Sequence, residues 1–233
     1  LANLPLYDHS FSTKQALRER LRDAGAPSTS WLPFAYDPTL HQPPRVHPGD
    51  AERFGVDVAF VGTGASERLP WLEALADVPA LRRRIYGNSW NGLATPGWER
   101  HAAVNGEDYA RAISHAGLVL GLLRQANGDL STDRSYEIGA IGGCGLYRDS
   151  PEHRALLPEY PEVGFFRDPA ELRAHALAIL ADPGLQETLR QHGAAALRRP
   201  EHTYGARLRT ILEWDGASSG NTDRRPSAGD RHD

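Results

Sequence analysis

The chain has 233 residues, with 26 basic against 30 acidic side chains and a formal net charge of −4, which excludes the basic excess expected of a nucleic-acid binder. Hydrophobic residues make up 40%, ordinary for one large globular domain, yet no apolar run reaches the roughly 18 residues needed to span a bilayer. A single cysteine, Cys144, rules out an internal disulfide and suits a reducing, cytoplasmic compartment.

The opening "LANLPLYDHS" lacks the basic-then-apolar layout of a secretory signal, and the absence of any methionine fits a fragment or a shifted start. Tyr7, Asp8 and His9 are expected to end a strand. "TKQALRERLRDAGA" predicts a helix stopped by Gly25, and "SWLPFAYDP" a short strand ended by Pro38. Residues 41–50, "HQPPRVHPGD", are dense in proline and polar residues and predict a linker. The apolar run Val56–Val61 then predicts a strand, followed by a glycine turn and a helix carrying Leu69, Leu72 and Leu75. "LRRRIYGNSWNG" adds a strand and loop, its "LRRR" read as a solvated helix end. "VNGEDYARAISHAG" predicts a helix with Tyr109 and Ile113 on one face, and 118–123 a buried strand.

"STDRSYEIGAIGGCGLY" supplies a helix and the strand Cys144–Tyr147, and "EVGFF" another short strand. Two helices follow, each opening on Asp-Pro, a capping residue with proline at the first helical position. "EHTYGARLRTILEW" predicts a last helix, and from Asp215 onward the composition is that of a disordered tail. Strands alternating with helices predict an α/β fold with a mainly parallel sheet. Ligands then belong at the carboxyl ends of the strands, in the loops after Val61, Tyr86, Leu123 and Tyr147.

Two stretches there carry candidate chemistry. In "FVGTGASER" a strand feeds Gly62, Thr63 and Gly64 and then a helix, so backbone can approach an anion near a helix amino terminus. The dinucleotide fingerprint wants a third glycine where Glu67 stands, and no Gly-Lys-Ser/Thr follows. A tight turn with no ligand fits equally. In the second stretch Ser131, Thr132 and Asp133 can each cap a helix. Arg134 in the first turn opposes the helix dipole unless an anion is near. Glu137 lies one turn on and can accept two hydroxyl hydrogen bonds, as a ribose diol offers; a surface Arg134–Glu137 pair is the plainer alternative. Trp90 and Trp98 either line a sugar site or anchor a loop. Cys144 reads as a small packed residue. The histidines show no zinc spacing, no Asp-x-Asp triplet suggests a divalent cation, and no cofactor is expected.

"DRSYEIGAIGGCGLY" followed by "FFRDPAELRAHALAILADPGLQETLRQHGAAALRRPEHTYGARLRTIL" resembles the carboxyl-terminal, donor-binding half of GT-B glycosyltransferases, most like the CgeB-like group. Arg134 to Glu137, Gly142 to Gly145, Asp168 to Leu172 and His202 to Tyr204 stand in that group's order. "STSWLPFAYDPTLHQP" is similar to the segment entering the second domain, and "DVAFVGTG" to that domain's first strand. The resemblance, over about residues 7–214, implies a Rossmann-like parallel sheet flanked by helices, the second domain of a GT-B fold, with a truncated first domain. Residues 1–45 would be a remnant of the acceptor domain and linker, 46–215 the nucleotide-sugar-binding domain and 216–233 a tail.

By the same resemblance Glu137 holds the ribose hydroxyls, and Ser131, Thr132, Asp133 and Arg134 hold the diphosphate. Gly62, Thr63 and Gly64 face the phosphates, with Arg68 as helper, and the base packs near Val104 and Asn105. Asp129 stands where relatives carry a second carboxylate. The implied activity is metal-independent transfer of a sugar from a nucleotide-diphosphate sugar to an unknown acceptor, with a catalytic base expected on the acceptor domain outside this chain. The alternatives are a non-catalytic nucleotide-binding or assembly domain derived from such an enzyme, and another α/β nucleotide-binding enzyme such as an oxidoreductase. No nucleic-acid partner and no transmembrane segment are expected.

Overall fold

The computed structural model describes residues 2–214; the predicted tail from Asp215 lies outside them. The described residues divide into two units, one of residues 2–34 with 204–214 and one of residues 35–203.

In the first unit, strand β1 (Ser10–Ser12) pairs in parallel with β2 (Thr29–Trp31), joined by helix α1 (Leu17–Asp23). Gly25, at φ 100°, ends that helix as its position in the sequence predicts. Residues 7–9 do not end a strand. A 3-10 turn at Leu4–Leu6 precedes them, and pairing begins only at Ser10. The last helix, α9 (Tyr204–Leu212), belongs here, and its Arg207 Nε donates to the Pro33 carbonyl over 2.9 Å.

The second unit is a six-stranded parallel sheet. In chain order it runs α2 (Asp50–Phe54), β3 (Val56–Val61), α3 (Leu69–Glu73), β4 (Arg83–Tyr86), β5 (Glu99–His101), α4 (Gly106–Ser114), β6 (Ala116–Gly121), α5 (Asp133–Ile141), β7 (Gly145–Arg148), α6 (Pro151–Leu156), β8 (Phe165–Phe166), α7 (Pro169–Ala181) and α8 (Pro183–Leu197). The strand order is β5-β4-β3-β6-β7-β8. This is the parallel sheet that the alternation predicts, and the Rossmann-like sheet flanked by helices that the resemblance implies. Its central strands are continuous apolar runs because helices cover both faces: Val58, Phe60, Leu118, Leu120 and Leu146 are all buried. The Asp-Pro helix starts hold as well, with the Asp168 carboxylate accepting from the Glu171 amide and Asp182 from those of Gly184 and Leu185. Helices α5 and α8 pack closely. A Cβ on Gly139 would sit 2.8 Å from the Gly193 carbonyl oxygen, so glycine there lets the two backbones approach.

Several elements depart from expectation. The strand predicted over 30–38 stops at Trp31; Pro33 and Pro38 leave only an isolated bridge between Tyr36 and Thr203. Helix α2 begins at the last linker residue, Asp50, whose carboxylate accepts the His47 amide. Strand β5 and helix α6 went unpredicted, β5 because its three residues are all polar and exposed. "LRRR" is no solvated helix end. Arg83 is buried in β4 and donates to the carbonyls of Leu75, Val78 and Gly97. Trp90 and Trp98 are buried anchors, their indole N–H groups bonding the Gly62 and Leu72 carbonyls over 3.0 and 2.9 Å. Cys144 is buried among core residues, and burial pushes its thiol up to about 12.

Candidate functional site

From β3 the chain steps to β4 and β5 on one side, and from β6 to β7 and β8 on the other. The switch point therefore lies between β3 and β6, where crossovers diverge and leave a crevice at the carboxyl edge. Two loops meet there: the glycine turn after Val61, and the segment from Leu122 to Thr132 that leads into α5.

The glycine turn is built for packing. The Gly62 amide donates to the Tyr86 carbonyl (2.9 Å) and the Gly64 amide to the Asn88 carbonyl (2.8 Å). A Cβ on Gly64 would overlap the Ser89 carbonyl oxygen, so the adjoining loop requires glycine there. In this turn, expected to face the phosphates, both glycine amides are directed toward the β4 loop, and only Thr63 between them is exposed. Glu67, standing where the dinucleotide pattern wants glycine, accepts the Ala126 amide (3.0 Å) and ties this turn to the loop after β6.

Positive charge gathers around the turn. Arg134 Nε donates to the Val61 carbonyl at 2.5 Å, which pins the tip of α5 to the end of β3. Buried Arg68 donates Nη1 to the Thr63 carbonyl and lies over the Phe60 ring, with its Nε lacking a partner among the described residues. Burial first, then repulsion from Arg134 and Arg124, lowers the Arg68 pKa. Arg134 itself is held above its usual range, because its burial is outweighed by Tyr109, Asp133 and Glu137. Arg68, which lacks such neighbours in balance, is the guanidinium that an anion would relieve.

At the start of α5 the hydroxyls are spent on scaffold. Thr132 caps the helix in a reciprocal box with Ser135. Buried Ser131 donates to Glu152 of α6 (2.5 Å), and Ser135 donates to His153 Nε2 (2.7 Å), whose Nδ1–H in turn bonds the Arg148 carbonyl (2.6 Å). Accepting at Nε2 and donating at Nδ1 fixes His153 neutral, and burial lowers its pKa to about 4. Asp133 accepts the Arg134 amide and its guanidinium, at 2.9 and 3.0 Å.

Glu137 is not the exposed partner of Arg134. The residue is only 7% exposed. Oε2 accepts the Tyr109 hydroxyl at 2.5 Å, and Oε1 faces His41 Nε2 at 3.4 Å. Burial and then the Asp133 charge raise the Glu137 carboxyl to about 7, against the Tyr109 hydrogen bond and Arg134, which lower it. Val104 and the exposed Asn105, on the loop before α4, line a groove of about 630 Å³ with Phe54, Tyr86 and His101. Asp129 lines a separate pocket of about 300 Å³ beside Trp71 and Arg148.

The structure thus brings Gly62, Thr63, Gly64, Arg68 and Arg134 together, sets Glu137 one helical turn along α5, and leaves Asn105 at the groove beyond β5. Two neighbours escaped sequence reasoning. Tyr109 was visible only as an apolar-face residue. His41 lies in the linker stretch, and no spacing connects it to Glu137. No helix among the described residues is long and apolar enough to cross a membrane.

The sequence model of a family described as glycosyl transferase-like matches residues 68–213. No curated protein matches the chain. Among solved structures the chain is similar to sucrose-phosphate synthase from Thermosynechococcus elongatus, at 14% identity and TM-score 0.67 over 94% of this chain and 60% of that one. It is also similar to Anabaena HepE solved with UDP-glucose, at 15% identity and TM-score 0.66 over 91% and 64%. A mutant of T4 phage BGT solved with UDP-glucose gives 14% identity and TM-score 0.56 over 91% and 61%. At these identities the likeness is one of fold, that of the GT-B Rossmann-like domain. The chain spans 60–64% of the length of these three structures.

Proposed function

The chain belongs to the glycosyl transferase-like family, and from that premise we propose that it binds a nucleotide-diphosphate sugar at the β3–β6 crevice for transfer to an acceptor. The observation that carries this is the arginine cluster at the switch point. Arg134 and Arg68 are both held by carbonyls of the turn after β3, close enough for one to depress the other's pKa. A diphosphate between them relieves that repulsion. It also meets the amino terminus of α5, whose dipole favours negative charge.

The remaining assignments follow the shape of such a ligand. The base occupies the groove at Val104 and Asn105, and the ribose diol reaches Glu137. The sugar lies toward the loop that holds Asp129. During transfer the bond from the anomeric carbon to the diphosphate oxygen breaks and a bond to the acceptor oxygen forms, the acceptor hydroxyl giving its proton to a base on the acceptor domain. Negative charge grows on the departing diphosphate, where preorganised guanidinium and amide donors stabilise it most. Arginines supply this charge without a required divalent cation. Residues 35–203 act as the donor domain rather than the expected 46–215, residues 1–34 with 204–214 belong to an acceptor domain of the CgeB-like kind rather than the expected 1–45, and the free thiol of Cys144 accords with a cytoplasmic setting.

A second reading is a nucleotide-binding domain without catalysis: Glu137 Oε2 is already taken by the Tyr109 hydroxyl, and Oε1 stands 3.4 Å from His41 Nε2. UDP-glucose is the first ligand to titrate, because two of the similar structures hold it. At 100 times its dissociation constant, a ligand raises stability by about 2.7 kcal/mol. A matching rise in melting temperature, with weaker binding in Glu137→Ala, is the expected result. No shift with UDP-, GDP- or ADP-sugars would overturn the donor-site assignment. Binding without turnover of the sugar would favour the second reading.

A further inference from the structure

The turn at residues 37–41 is built to hold one imidazole in place. The Asp37 carboxylate accepts the Thr39 amide (2.7 Å) and hydroxyl (2.6 Å), and the Asp37 carbonyl accepts the His41 amide at 2.7 Å. The Asp37 amide then donates to His41 Nδ1 at 3.0 Å. A ring nitrogen that accepts is unprotonated, so the proton of the neutral ring sits on Nε2. That Nε2 stands 3.4 Å from Glu137 Oε1, too far for a good hydrogen bond. The edge of the ring packs against Tyr109, which holds the other Glu137 oxygen.

We infer that His41 is a ligand-contacting residue of the nucleotide site, donating from Nε2 to a ribose hydroxyl whose own proton goes to Glu137. This rests on the donor-site reading above. A hydroxyl group is both donor and acceptor. The ionised Glu137 supplies only acceptors and His41 Nε2 only a donor, so the pair matches a hydroxyl better than either residue alone. The direct contact between them is long, 3.4 Å, and a hydroxyl drawn up to both gives each a shorter partner.

Around His41 the charged and titratable groups are Asp37 and Asp133, which favour the imidazolium, and Arg134, which disfavours it together with burial; Glu137 and Tyr109 complete the surroundings. Burial is the largest influence and lowers the His41 pKa from 6.5, so the neutral donor persists at pH 7.

The test compares a nucleoside diphosphate with its 2′,3′-dideoxy analogue by calorimetry on the full chain, using whichever of UDP, GDP and ADP binds. The wild type is expected to prefer the diol by about 10-fold or more, and His41→Ala to remove most of that preference. His41→Gln, which keeps an N–H donor, should restore part of it, whereas His41→Phe, a ring without a donor, should not. The Gln and Phe variants decide the matter if the Ala variant does not fold. Full diol preference in His41→Ala or His41→Phe would overturn the role of His41 while leaving the nucleotide site intact. Absence of binding by the wild type to all of the diphosphates would instead bring down the donor-site reading, and this inference with it.

Discussion

The two loops that meet at the switch point solve opposite problems. After β3, the glycines satisfy their neighbours: the amides of Gly62 and Gly64 go to β4-side carbonyls, and Gly64 leaves room for the Ser89 carbonyl. Before α5, the scaffold is buried behind the tip, with Ser131 and Ser135 tied to Glu152 and His153 of α6, and His153 in turn to the Arg148 carbonyl of β7. That anchoring presents Arg134 at the crevice. A glycine-rich turn can therefore be a packing device, while an ordinary helix start carries the charge.

The largest expected effect breaks the first loop. Gly64→Ala drives a methyl group into backbone that cannot move aside, and should cost about 1–3 kcal/mol of stability in urea unfolding. A stability unchanged within about 0.5 kcal/mol would mean that the turn is slack and free to close on a ligand.

Two titrations sharpen the account of the α5 side. The carboxyl of Glu137, raised from 4.5 to about 7 in the fold, contributes stability at low pH that is lost as pH rises through about 7. The imidazole of His153, lowered from 6.5 to about 4, contributes stability above pH 6.5 that is lost as pH falls toward 4. Between pH 7 and 5 the two oppose each other, each by about 2 kcal/mol. Glu137→Gln removes one side. Relative to the wild type, that variant should lose about 2 kcal/mol more when pH drops from 7 to 5, read from denaturation midpoints. Parallel pH profiles for both proteins would show that Glu137 is not held protonated.

A smaller effect concerns binding. Nucleotide affinity should weaken as pH falls below about 7, since a protonated Glu137 no longer accepts from both hydroxyls of a diol. Arg134→Lys keeps the charge but loses the planar fork that reaches the Val61 carbonyl. It should weaken diphosphate binding by about 10-fold, measured calorimetrically. EDTA should leave the affinity of the wild type unchanged.

Much of the fold was legible in the sequence because the dominant force is local and periodic. The run Val56–Val61 has the apolar continuity of a strand buried on both faces, and its bounds are those of β3. Asp168 and Asp182 announce their helices by capping chemistry that acts within a few residues. β5 carries no such signal: three exposed polar residues become a strand only because β4 offers an open edge. α6 was missed for a different reason. Its cap is local, Ser150 accepting the His153 amide, but its role in buttressing α5 arises only when β7 brings the two together.

Residue type and order along the chain were enough to mark Arg134, Glu137 and the glycine turn as polar features at the carboxyl edge of a parallel sheet. The tertiary structure alone decided what each one touches. It bonded Arg134 to the end of β3, spent the hydroxyls of Ser131 and Thr132 on the scaffold, and set Tyr109 and His41 on the Glu137 carboxylate. The physical reason is range. Helix, strand and cap preferences act between near neighbours in sequence, whereas desolvation and charge pairing act through space among residues that only the folded sheet assembles.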